Sequence, residues 1–103
     1  MGSVNRRGHA GKVDANHTEA VEALRAIGVV VRSLAAVGDG MNDLLCIVPA
    51  ATFLIELKVP GEHLTPAQKR WHVECPWRNH VAYSAQQAVE IAQHYMGRQA
   101  RAA

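Results

Sequence analysis

Asn42-Asp43-Leu44-Leu45 and Ile55-Glu56-Leu57-Lys58 bracket the stretch of this 103-residue chain that decides its fold. An acid opens one apolar run, and thirteen positions later Glu56, with Lys58 behind it, closes a second. Side chains alternate between the faces of a strand, so Leu54, Glu56 and Lys58 point one way and Phe53, Ile55 and Leu57 the other. Laid side by side, the two strands bring two carboxylates and one ammonium to a shared sheet edge. That set offers oxygen ligands to a hard divalent cation and a positive charge to steer water, which is what metal-dependent phosphodiester hydrolysis needs.

Outward from this pair the pattern predicts the order αβββαβα. Asn16-His17-Thr18-Glu19 has the form of a capping box opening a helix, with Ala20, Val21, Leu24 and Ile27 as its apolar stripe and Gly28 as its stop. Val29 to Leu34 is β-branched and reads as a strand, followed by a turn at Val37-Gly38-Asp39-Gly40. Asp43 to Val48 is almost uniformly apolar, so the strand is expected to be buried on both faces. Pro49-Ala50-Ala51 turns the chain into the strand Thr52 to Lys58. Leu64-Thr65-Pro66-Ala67-Gln68 then starts a helix, with Thr65 as cap, Pro66 at the first position and Gln68 at the third. His80 to Tyr83 is a short strand, and Ser84-Ala85-Gln86-Gln87 caps a last helix carrying Ala88, Val89, Ala92 and Met96 before Gly97.

The size fits one core, and no repeat or linker divides it. Residues 1–13, rich in glycine and basic, read as a flexible arm, residues 14–97 as one domain and residues 98–103 as a tail. Arg6, Arg7, Lys12, Arg98 and Arg101 lie in the terminal segments, so residues 13–96 keep six basic and nine acidic side chains, a sum of −3. Basic arms on an acidic body suit a protein that holds phosphates outside and a cation within; solubility is the plainer reading. Aromatic residues are only 5%, so stacking on an aromatic platform is not expected to dominate nucleic-acid binding. Cys46 and Cys75 lack metal-site or redox spacing and read as free thiols. No apolar run reaches the ~20 residues of a membrane span and no signal-peptide core opens the chain, so a cytoplasmic location is expected.

Each candidate has a structural alternative. Asp43 suits a turn cap, Glu56 and Lys58 an internal ion pair, and Gln68 and Glu19 capping boxes. His17 reads as solvated. His63, His72, Cys75 and His80 lack zinc-knuckle spacing. No phosphate-cradling glycine motif and no nucleophile elbow occurs.

Taken together, Glu19, Asp43, Glu56-x-Lys58 and Leu64-Thr65-Pro66-Ala67-Gln68 with Trp71 resemble a stand-alone VRR-NUC nuclease of the PD-(D/E)XK superfamily, similar to small phage-encoded examples, over residues 13–96. Asn42 stands where the superfamily name has proline, and no Val-Arg-Arg string is present. The resemblance implies an α/β, restriction-endonuclease-like mixed central sheet flanked by helices. It implies Mg²⁺ or Mn²⁺ held by Asp43, Glu56, the Leu57 carbonyl and Glu19, with Lys58 orienting water and Gln68 supporting the site. Arg6, Arg7, Lys12, Lys69 and Arg70 are the candidate DNA contacts. Small members are associated with homodimers that cleave branched DNA such as Holliday junctions. The alternatives are a catalytically silent DNA-binding or assembly subunit of this fold, or a nuclease acting on ordinary duplex or RNA.

Overall fold

A two-residue turn at Pro49 and Ala50 folds the decisive stretch into an antiparallel hairpin, with Val48 opposite Ala51 and Leu44 opposite Ile55. The computed structural model describes residues 3–102, with side chains over residues 15–97. Along them run α1 (Ser3–Ala26), β1 (Val30–Ser33), β2 (Leu44–Val48), β3 (Ala51–Leu57), α2 (Pro66–Glu74), β4 (Asn79–Ala82) and α3 (Ala85–Ala102). The strands form one mixed sheet in the order β1-β2-β3-β4, antiparallel except for the parallel β3–β4 pair. That parallel pair needs a crossover, and α2 supplies it. The expected α/β architecture and element order are both present.

α1 and α3 pack against each other and against one face of the sheet. Leu44, Cys46, Phe53, Ile55 and Ala82 from the strands meet Ala20, Leu24, Ala88, Ala92 and Tyr95 from the helices. Tyr95 was not foreseen on that stripe. Its ring stacks on Phe53 with centroids 4.4 Å apart, and its hydroxyl meets His80 Nε2 at 2.5 Å. Both cysteines are free, and burial pushes the Cys46 thiol up to about 12, which makes it an inert core residue.

Local signals end most elements where expected. Gly28 takes φ 95°, its N–H reaches the Arg25 carbonyl, and the Val29 N–H reaches Leu24, a Schellman closure of α1. At α2, Thr65 Oγ1 accepts from the Gln68 N–H and Gln68 Oε1 accepts from the Thr65 N–H. At α3, Ser84 Oγ accepts from the Gln87 N–H, while Gln87 Oε1 turns to the Tyr83 N–H instead of closing the box on Ser84.

Three expectations are corrected. α1 begins at Ser3 rather than Asn16, so the stretch expected as an arm is helical from Ser3. Gly8 and Gly11 lower helix propensity without the steric block that proline imposes, and the Asn16–Glu19 pattern lies inside the helix. Likewise α3 passes through Gly97 and runs to Ala102. Finally, β2 is closed on one face only. Leu44, Cys46 and Val48 are buried, but Ile47 is 38% exposed and its cross-strand neighbour Val30 is 50% exposed. The nine-residue α2 is too short to cover that face beyond the end carrying Glu56.

Candidate active site

Strand alternation delivers Glu56 and Lys58 to the face opposite Ile55 and Leu57, where α2 crosses the end of the sheet. Both are deeply buried, Glu56 at 4% exposure and Lys58 at 8%. Lys58 Nζ lies 3.8 Å from Glu56 Oε2, an ion pair without a close hydrogen bond. Gln68 Nε2 donates to the same Oε2 at 3.0 Å. The amide of Gln68 therefore does two jobs: its oxygen closes the α2 cap and its nitrogen holds the carboxyl group of Glu56. The second oxygen, Oε1, is buried and receives no donor, and the carboxyl group lies within side-chain hydrogen-bond reach of Asp43.

Asp43, half-buried just ahead of β2, accepts the Leu57 N–H on Oδ2 at 2.8 Å. Its carboxylate thus extends the β2–β3 ladder one step and is held beside Glu56. Burial pushes the Glu56 carboxyl up to about 8, the neighbouring Asp43 adds to the rise, and the Lys58 ammonium opposes it. In the metal-free protein Glu56 therefore keeps its proton to higher pH than in the unfolded chain, where it ionises near its ordinary value of 4.5.

This raised pKa fixes the sign of a pH effect. Below about 4.5 both states are protonated and Glu56 contributes nothing to the pH slope; between 4.5 and about 8 the folded state holds the extra proton. Stability of the metal-free protein should therefore fall as pH rises through that window and level off above it. Thermal unfolding in chelator at several pH values measures it, and Glu56→Gln should flatten this part of the curve. An unchanged slope in Glu56→Gln would place the titration elsewhere.

A cavity of about 20 Å³ lies against Asp43 and Leu57, closed by Asn16, His17, Val59 and Glu62. That volume takes one water, and of the two carboxylates only Asp43 lines it. Two adjacent carboxyl groups, one with an orphaned oxygen, are an oxygen donor set of the kind a hard divalent cation takes. Among the described residues no three or more His, Cys, Asp and Glu side chains gather as a metal cluster, so the remaining ligands would be main-chain oxygen and water. With that composition the residues fit Mg²⁺ or Mn²⁺, which keep several waters.

Other sequence candidates lie around this centre. Glu19 is exposed on α1 and does not line the cavity; that helix reaches it through Asn16 and His17. His17, read as solvated from the sequence, is half-buried there. Glu62, which no motif marked, folds back so that Oε1 accepts the Val59 N–H at 2.8 Å. Lys69 and Arg70 are exposed on α2, and the side chains of Arg6, Arg7 and Lys12 fall outside the described residues. Asn42, fully buried beside Asp43, accepts the Trp71 indole N–H at 2.6 Å, a link between residues 29 apart that no local pattern announces.

No family profile and no curated protein matches this chain. A solved structure described as a VRR_NUC domain does, with a TM-score of 0.68 and 30% sequence identity. The match covers 82% of this chain and 97% of that one, so the relation spans essentially the whole domain. The mixed sheet and its flanking helices therefore follow a shared architecture, and the chain belongs to the VRR_NUC family.

Proposed function

We propose that the protein is a Mg²⁺- or Mn²⁺-dependent DNA endonuclease that acts as a homodimer on branched DNA such as four-way junctions. One observation carries the reading: Asp43 and Glu56 are held side by side at the sheet end, with Glu56 Oε1 buried and reached by no donor, beside a single ammonium, Lys58. As a purely structural ion pair this is poor, since two acids share one base and one of them must keep a proton. Asp43, Glu56 and the Leu57 carbonyl would hold the cation. When bound, it supplies charge to a phosphoryl oxygen and acidity to water. Lys58 then orients the attacking water, and Gln68 keeps Glu56 aimed.

The dimer follows from the substrate. A single chain offers one such centre, whereas a four-way junction is resolved by cutting two opposed strands, so twofold symmetry matches the DNA. Exposed cations such as Lys69 and Arg70 would position the DNA through its phosphates. Arg6, Arg7 and Lys12 add sequence-level positive charge to the same role.

A cleavage assay on linear, flapped and four-way DNA tests the proposal. Activity should appear with Mg²⁺ or Mn²⁺, vanish in excess chelator, and fail with Ca²⁺, whose looser and larger oxygen shell suits in-line geometry poorly. Four-way DNA should be cut fastest, and light scattering should give twice the mass of one chain. Full activity in chelator would end the metal reading; equal rates on linear and branched DNA with a monomer would leave a nuclease without junction specificity.

A further inference from the structure

Between the loop of residues 37–41 and α2 lies a cleft of about 340 Å³, whose walls include Gly38, Asp39, Met41, Arg70, Trp71 and Glu74. The loop wall has a defined shape. Gly38, Asp39 and Gly40 take consecutive left-handed conformations, φ 72°, 55° and 79°, closed by a bond from the Met41 N–H to the Gly38 carbonyl at 3.0 Å. Asp39 does so although it carries a Cβ, a conformation that aspartate tolerates better than most residues and that its glycine neighbours share. Gly40 presses directly on α2, since a Cβ there would sit 2.6 Å from the Ala67 carbonyl oxygen.

The helix wall is equally constrained. The Trp71 indole N–H is committed to Asn42, which fixes the ring as a side of the cleft next to the residue preceding Asp43. Gln68, three positions earlier on the same helix, holds Glu56. The cleft and the carboxylate pair thus share α2 as a common wall.

The lining combines an aromatic ring and the Met41 side chain with one guanidinium and two carboxylates. A planar ring for Trp71, edge N–H donors for Asp39 and Glu74, and an anionic or acceptor group for Arg70 together describe a nucleotide. We infer that this cleft takes the base of an unpaired nucleotide flanking the cleaved phosphate, with guanine preferred. Guanine presents adjacent N1–H and N2–H₂ donors to a carboxylate and its O6 and N7 acceptors to Arg70. Thymine turns carbonyl oxygens toward the same carboxylates and is disfavoured. A paired base cannot enter without leaving its stack, which is least costly at a branch point, flap or single strand. The inference rests on the nuclease reading and supplies a source for its preference among DNA shapes.

The test uses the full chain with Trp77→Phe, a substitution at a 75% exposed position that leaves Trp71 as the sole tryptophan. In Ca²⁺, binding of short labelled single strands is followed by anisotropy and Trp71 emission is recorded. One strand contains guanine, a second has thymine in its place, and a third has abasic sites there. The guanine strand should quench Trp71 by about twofold or more and bind roughly fivefold or more tighter than the thymine strand, while the abasic strand leaves the emission unchanged. Glu74→Gln should bring the guanine-to-thymine ratio close to one. Equal binding of all three strands with unchanged emission would overturn the inference while leaving a DNA-binding nuclease standing. Failure of every strand and of four-way DNA to bind would remove both.

Discussion

DNA cleavage should fall by roughly 10²–10⁴-fold when Asp43, Glu56 or Lys58 loses its functional group, the range typical of removing a single acid–base or electrostatic partner. The geometry selects the substitutions. Asp43→Ala would also strip the Leu57 N–H of its acceptor, at a cost of about 1–3 kcal/mol for an unsatisfied buried donor. Asp43→Asn keeps an oxygen for that bond and removes only the charge. Glu56→Gln likewise keeps the shape, and because Glu56 is held protonated without metal it should leave the apo fold at least as stable. Lys58→Met retains the apolar stem and deletes the ammonium. Circular dichroism must show native structure before rates are compared on four-way DNA. Losses should be non-additive, with Asp43→Asn/Glu56→Gln close to either single variant, because the two carboxylates act as one unit. A variant cutting at the wild-type rate would take its residue out of the site.

Phe53→Ala should be the most damaging core substitution, costing about 3–5 kcal/mol. Phe53 has no exposed surface, stacks on Tyr95 with ring planes 11° apart, and meets the His80 ring edge-on at 6.3 Å. These rings tie β3 and β4 to α3, and the tyrosine hydroxyl hydrogen-bonds the imidazole. The void would border the strand that carries Glu56 at its far end. Domains of this size hold about 5–15 kcal/mol in total, so the variant should unfold at a far lower urea concentration, with the transition followed by tryptophan emission. A loss under about 1 kcal/mol would mean that the surrounding helices collapse into the gap.

The sheet and most element ends were legible because their causes are local. Gly28, Thr65 with Gln68, and alternation through Phe53, Ile55 and Leu57 each act within a few residues of themselves. The start of α1 was not, because Asn16-His17-Thr18-Glu19 satisfies a capping pattern that a continuing helix also accommodates. Exposure of Ile47 depends on how far α2 extends over a distant face, which composition within β2 does not encode. In the site, parity along β3 put Glu56 and Lys58 together, and the sheet edge brought Asp43 to them. The Asn42–Trp71 bond and the approach of His17 to the cavity depend on tertiary contact and left no mark in spacing.

The two-ended Gln68 amide ties readiness of the centre to a local order–disorder equilibrium. Whenever the first turn of α2 frays, Gln68 leaves both Thr65 and Glu56, so the protein alternates between an aligned and an unaligned carboxyl without unfolding as a whole. The Gln68 main-chain proton, bonded to Thr65 Oγ1, then becomes a reporter: its exchange with solvent deuterium should count the openings. Anything that clamps this turn should slow that exchange and hold the Glu56 carboxyl aligned.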